Sequence, residues 1–216
     1  MKEFTLLACD PGTSSFAYQV IQAKANNANG GFSFRILQRG FIFHTVKEMK
    51  GKAHQRQLQE FIAALRNLED SHTLNGLIAE RYMARGVSRS TVIETVNVMV
   101  GVMSTMFLHR PAKFIPASEW KNELHRAGFD LESIYLKAKE QKVTPHEIDS
   151  LCIGIYGLHK MLRMRGFQML PQVLGCRQPE VGDALIRLLL AKPKQDYGNK
   201  KDRVKQKPKK SRRKRK

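Results

Sequence analysis

The chain has 216 residues, 42% of them hydrophobic, which is enough for one sizeable core plus an appendage. Its formal net charge of +19 and pI near 10.1 point to a polyanionic partner. No apolar run reaches the roughly 18 residues of a membrane span, so a membrane protein is not expected; nor is a small-molecule cofactor.

The charge is uneven. The last 18 residues hold twelve Lys/Arg against the single acid Asp202, so they carry +11 of the +19. Met1-Lys2-Glu3-Phe4 enters a strand-like segment directly, without the plan of a signal peptide. Cys9, Cys152 and Cys176 are far apart and odd in number, with no paired metal-ligand spacing. A disulfide framework and a structural zinc site are therefore not expected, and a reducing, intracellular setting is.

In chain order, residues 4–9 (FTLLAC) form an apolar run suited to a strand covered on both faces. Asp10-Pro11-Gly12-Thr13 breaks it with turn chemistry, and residues 16–21 resume as a second strand. The turn-rich NNANGG at 26–31 precedes alternation through Phe32, Phe34 and Ile36, then Phe41 and Phe43. These segments predict a three-stranded antiparallel meander.

From about His54 to Leu68 the period becomes helical, with Leu58, Phe61, Ile62, Leu65 and Leu68 on one stripe. Gly76-Leu77-Ile78-Ala79 is a short strand ending at Glu80. Residues 90–108 read as an unusually apolar helix, with Val92, Val96, Met99, Met103 and Met106 on one stripe and Val98 and Val102 on another. Two apolar sides fit either a central core helix or one that also meets a second subunit.

Residues 113–116 (KFIP) predict a strand, and Ser118 the cap of a helix holding Trp120 and Leu124. Thr144-Pro145-His146-Glu147 predicts a helix start with a capping box, continuing through Leu151, Ile155, Leu158 and Leu162. Residues 184–190 suggest a last short helix, and from Lys192 the lack of periodicity predicts disorder.

The expected division is a domain over 1–165, an extension over 166–191 and a disordered Lys/Arg-rich tail over 192–216. Antiparallel hairpins followed by β-α alternation imply an α/β fold. The expectation is an RNase H-like mixed five-stranded sheet, three antiparallel strands and then parallel ones, flanked by helices.

Three acids occupy unusual places. Asp10 ends one apolar strand, Glu80 ends another, and Asp149 lies one turn into an apolar helix. Buried acids are costly unless paired or bound to metal. Each alone has a plain structural reading: a turn residue for Asp10, a partner of Arg81 or Arg85 for Glu80, a helix N-terminal acid for Asp149. Glu147 is explained by the capping box and turns about 100° from His146, so it is excluded from the site.

The run LLACDPGTSSFAYQVI resembles the opening strand, DPG turn and second strand of RuvC-type Holliday-junction resolvases. LIAERYMARG with the apolar helix after it is similar to that family's segment around its second acid, and HEIDSLCIGIYGLH to its final catalytic helix. The resemblance covers about residues 4–160 and extends to phage and viral versions.

It implies that Asp10, Glu80, His146 and Asp149 form the catalytic, metal-binding set, with Asp10 shared between two ions. Carboxylates suit Mg²⁺, and the histidine, where many members carry a fourth acid, favours Mn²⁺ as an equal or better cofactor. It further implies branched DNA, four-way junctions above all, as substrate and a homodimer, for which the 90–108 helix is the expected seam.

DNA contacts are expected from Arg81, Tyr82, Met83, Arg85 and Arg89, with Tyr82 or Met83 stacking on bases, and from Lys121, whose surroundings (Glu119, Glu123, Asp130, Glu132) are acidic. The tail, including Lys209, Lys210, Arg212 and Arg213, adds salt-dependent phosphate binding or serves as a targeting signal. The expected location is cytoplasmic (a host's cytoplasm for a phage protein), or nuclear for a virus of nucleated cells. The competing functions are an RNase H-fold nuclease for flaps, forks or RNA–DNA hybrids, and a non-catalytic basic DNA-binding protein.

Overall fold

Strand β1 (Glu3–Pro11) is the centre of the sheet because its side chains are apolar on both sides: Leu6, Leu7, Ala8 and Cys9 are fully buried. Withdrawing each leucine-sized side chain from water contributes roughly 1.5–3 kcal/mol. The computed structural model describes residues 3–12, 15–26, 31–43, 51–81, 91–163 and 165–197. β1 pairs antiparallel with β2 (Phe16–Asn26), and β2 antiparallel with β3 (Gly31–Phe43), which is the predicted meander. On its other side β1 runs parallel to β4 (Gly76–Glu80), and β4 parallel to β5 (Ala112–Ile115). The order is β3-β2-β1-β4-β5.

The two faces bury separate clusters. On one, Leu7, Cys9, Phe16, Tyr18 and Val20 pack beneath α1 (Gly51–Ser71) and α2 (Thr91–Met106). Phe61, Leu65 and Leu68 of α1 and Val96, Met99 and Met103 of α2 are buried, as their stripes require. On the other face lie α3 (Ala117–Arg126), α4 (Leu131–Glu140), α5 (Pro145–Leu162), α6 (Leu170–Leu174) and α7 (Val181–Leu190). Among the described residues no helix is long and apolar enough to cross a membrane.

Helix α5 fixes the site. Its predicted capping box is present: the Glu147 amide donates to Thr144 Oγ1 (3.3 Å) and the Thr144 amide to Glu147 Oε2 (3.0 Å). Gly154 and Gly157 let the helix lie close on the sheet, since a Cβ on either would press on Ala8 and Ile21 or on Leu6 and Ile78.

Two departures from the sequence reading have physical causes, and the place of residues 166–190 is settled by packing. Pro116, not Ser118, is the N-cap of α3, and no side chain caps it, so Ser118 falls inside the helix. Helix α4, capped by the Asp130 side chain, escaped notice because its stripe is weak and only Ile134 and Ala138 are buried. Phe167 and Leu170, with Val181, Leu185 and Leu189 of α7, join the α5 core, so residues 166–190 belong to the folded body.

Residues 192–197 are likewise ordered against β3 rather than part of a disordered tail. The Gln195 amide donates to Arg39 O (2.8 Å), the Tyr197 amide to Phe41 O (3.0 Å), and the Phe41 amide to Asp196 Oδ1 (3.0 Å). Tyr18 Oη donates to Gln195 O (2.7 Å) and Gln38 Nε2 to Tyr197 Oη (2.8 Å). Any side chain on Gly40 would collide with the Gln195 carbonyl, so the glycine admits this strap. Backbone and polar groups hold it, and they leave no hydrophobic period to read.

Candidate active site

Cys9 of β1 stands opposite Ala79 of β4, so the next residues, Asp10 and Glu80, emerge together at the carboxyl ends of two parallel strands. By strand alternation both share the face of Ala8 and Ile78, which α5 covers. The first turns of α5 bring His146 and Asp149, three apart and therefore on one side of the helix, over that end. Gly12 permits the approach, because a Cβ there would lie 2.6 Å from His146 Cε1. The four residues picked out from the sequence thus converge from three elements.

Each carboxylate has one oxygen held by a different helix. His146 Nδ1 lies 2.6 Å from Asp10 Oδ2, Trp120 Nε1 of α3 donates to Glu80 Oε2 (3.0 Å), and Tyr135 Oη of α4 donates to Asp149 Oδ1. The partner of Glu80 among the described residues is therefore Trp120, not Arg81. Burial pushes the Asp149 carboxyl up to about 7, and the charge of Asp10 adds to the rise. Burial likewise raises Glu80, against the Trp120 hydrogen bond, with Asp10 adding to the rise. His146 is raised chiefly by its hydrogen bond to Asp10, so the three carboxylates favour its charged form.

Crowded, partly desolvated carboxylates are the donor chemistry that suits a hard divalent cation. As they stand, however, no three His, Cys, Asp or Glu side chains among the described residues are arranged to hold a metal ion. Their hydrogen-bonding oxygens are turned onto Tyr135, Trp120 and His146 instead. The set fits a cation in kind, with His146 able to ligate one only through a neutral imidazole.

Lys121 belongs to this group. It lies 5.0 Å from the centre of the Trp120 ring, and its charge acts on both Glu80 and Asp149. The acids near it in sequence are engaged elsewhere: Glu119 accepts from Tyr156 Oη (2.9 Å) and Asp130 caps α4. Arg81 is exposed just past Glu80. Tyr82, Met83, Arg85, Arg89, Lys209, Lys210, Arg212 and Arg213 lie outside the described residues.

Glu147 does more than cap. It is fully buried, with Oε1 2.6 Å from Arg39 Nη1 and Oε2 2.8 Å from Lys194 Nζ, so it joins α5, β3 and the strap. Sequence reasoning also missed Trp120 and Tyr135 as carboxylate partners. An aromatic with a polar tip on a helix near the site was the available signal, but it is indistinguishable from an ordinary core aromatic.

The sheet order and the two helical layers define the RNase H-like class of α/β fold. No family model matches the chain, and no curated protein matches it. Among solved structures, one of RuvC from Thermus thermophilus is 13% identical with a TM-score of 0.53, covering 74% of this chain and 98% of that one. A second, of T. thermophilus RuvC in complex with Holliday junction substrate, is 12% identical with a TM-score of 0.51, covering 73% and 96%. The chain therefore has the RuvC form of the RNase H-like fold.

Proposed function

We propose that the protein is a metal-dependent endodeoxyribonuclease of the RuvC type that nicks four-way DNA junctions as a homodimer, in recombination or in processing branched replication DNA. The observation that carries this reading is the convergence of Asp10, Glu80 and Asp149 at one end of a sheet folded like that of RuvC. These three, with His146 once neutral, would hold Mg²⁺ or Mn²⁺. Bound there, two such ions supply an activated water and stabilise the leaving oxygen of a phosphodiester.

The protein's own groups orient the donors and neutralise the substrate. Lys121 beside the carboxylates and the exposed Arg81 just past Glu80 would meet the phosphates of a bound strand. Tyr197, the last described residue, bonds to Phe41, which pairs with Ala17 and so with Asp10. Tyr197 therefore stands level with the site, about three strand spacings or ~14 Å away. For the dimer, the outer side of α2 offers Val98 (36% exposed) and open space above Gly101. Val98→Asp is expected to convert a dimer to a monomer in sedimentation equilibrium.

The deciding experiment incubates the full chain and Asp10→Asn with labelled four-way junction, flap and linear duplex, with and without Mg²⁺. Paired nicks in junctions, dependent on Mg²⁺ and absent in Asp10→Asn, are expected. Cleavage of flaps alone would redirect the substrate, and binding without cleavage would leave only a DNA-binding role.

A further inference from the structure

The two carboxylates without a histidine partner share one arrangement. Trp120 holds Oε2 of Glu80 and Tyr135 holds Oδ1 of Asp149, while no hydrogen bond reaches Glu80 Oε1 or Asp149 Oδ2 among the described residues. A carboxylate tied by one oxygen to a neutral donor on a packed helix keeps a fixed direction and leaves its second oxygen for another partner. Trp120 is fully buried in the core, which accounts for its presence without reference to the site. Tyr135 is different: only half-buried, it lines an open cleft of about 680 Å³ with Leu136, Val143 and Pro145, yet it turns its hydroxyl inward to Asp149.

A tyrosine in such a cleft can leave its hydroxyl in water at little cost. The inward bond therefore calls for an explanation beyond satisfying the hydroxyl. Asp149 is partly buried and sits on the first turns of a helix whose backbone is fixed by the capping box below it. Its side-chain direction is not fixed by the backbone, and the Tyr135 hydroxyl supplies that constraint from α4.

We propose that Tyr135 is a positioning residue, aiming Asp149 so that its second oxygen faces the space shared with Asp10 and Glu80 for a divalent cation. This rests on the nuclease reading above. Partners that orient a metal ligand change metal affinity or activity by about 10–100-fold when removed. Tyr135→Phe deletes only the hydroxyl and keeps the ring against the cleft.

The test titrates Mn²⁺ alone into the full chain, Tyr135→Phe and Asp149→Asn, following bound Mn²⁺ by electron paramagnetic resonance. Thermal midpoints and junction affinity are measured in EDTA. Tyr135→Phe is expected to weaken Mn²⁺ binding at least about tenfold and raise the Mn²⁺ concentration needed for half-maximal cleavage by the same factor. Junction affinity in EDTA should stay within a few-fold of the parent. A merely structural tyrosine would lower the thermal midpoint and leave the Mn²⁺ titration alone. If the parent binds Mn²⁺, Asp149→Asn does not, and Tyr135→Phe matches or exceeds the parent, the positioning role is overturned and the nuclease reading stands. If the parent shows no Asp149-dependent Mn²⁺ binding, both fall.

Discussion

Glu147 and Asp149 lie two residues apart on α5, some 200° around the helix, and meet opposite surroundings. Glu147 is buried between two cations, Arg39 from β3 and Lys194 from the strap, so its charge is compensated and its site is a joint. Asp149 is held by a neutral hydroxyl and crowded by Asp10 and Glu80, with Lys121 and His146 among the described residues to offset them. A carboxylate surrounded by cations is finished as a structural element. One surrounded by other carboxylates is suited to receive a cation from outside. Glu147 completes the capping box of α5, but capping accounts for only part of its place in the fold.

That contrast is most severely tried at Asp10. Asp10→Asn should reduce junction cleavage by about four orders of magnitude, near 5.5 kcal/mol of barrier, while leaving the fold intact. Retained cleavage would remove the carboxylate side of the comparison. On the other side, Glu147→Gln strands the buried Arg39 guanidinium and should cost about 3–5 kcal/mol in urea unfolding. A loss under about 1 kcal/mol, the scale of a surface pair, would mean that the Glu147 cluster is not a joint.

The pH dependence of stability sharpens the contrast further. Asp149, raised to about 7 in the fold, lies well above the ~3.9 of an unfolded aspartate, so the native state holds the extra proton between those values. Its contribution is fully present below about pH 4 and is lost as pH rises through 7. In EDTA, Asp149→Asn should match the parent at pH 4 and exceed it by up to about 4 kcal/mol at pH 8. Parallel pH curves for the two proteins would sink this assignment. The smallest effect is expected at the strap, where Tyr18→Phe removes the hydroxyl bonded to Gln195 O. About 1 kcal/mol should be lost, with faster proteolysis near residue 195 as the readout.

The legible parts of this molecule were local ones. A continuous apolar run, the DPG turn and the capping box marked β1, β2 and α5, because each depends on residues within a few positions of one another. The positions of Asp10, Glu80 and Asp149 were legible for the same reason, as acids at the ends of apolar elements. Their partners were not. Trp120 meets Glu80 across 40 positions, and Arg39 meets Glu147 across 108. Nothing near Tyr135 in the chain announces that its hydroxyl turns inward.

The sequence by itself determined the order of the strands and of α1, α2, α3 and α5 and placed three acids at the ends of such elements, since turn chemistry and hydrophobic period act over short range. Only the tertiary structure decided that these ends coincide, that Lys121 stands beside them, and that residues 192–197 return to β3. Those outcomes depend on the register of β1 on β4 and on buried polar contacts between distant segments, where hydrogen-bond and charge pairing, rather than periodicity, choose the partner.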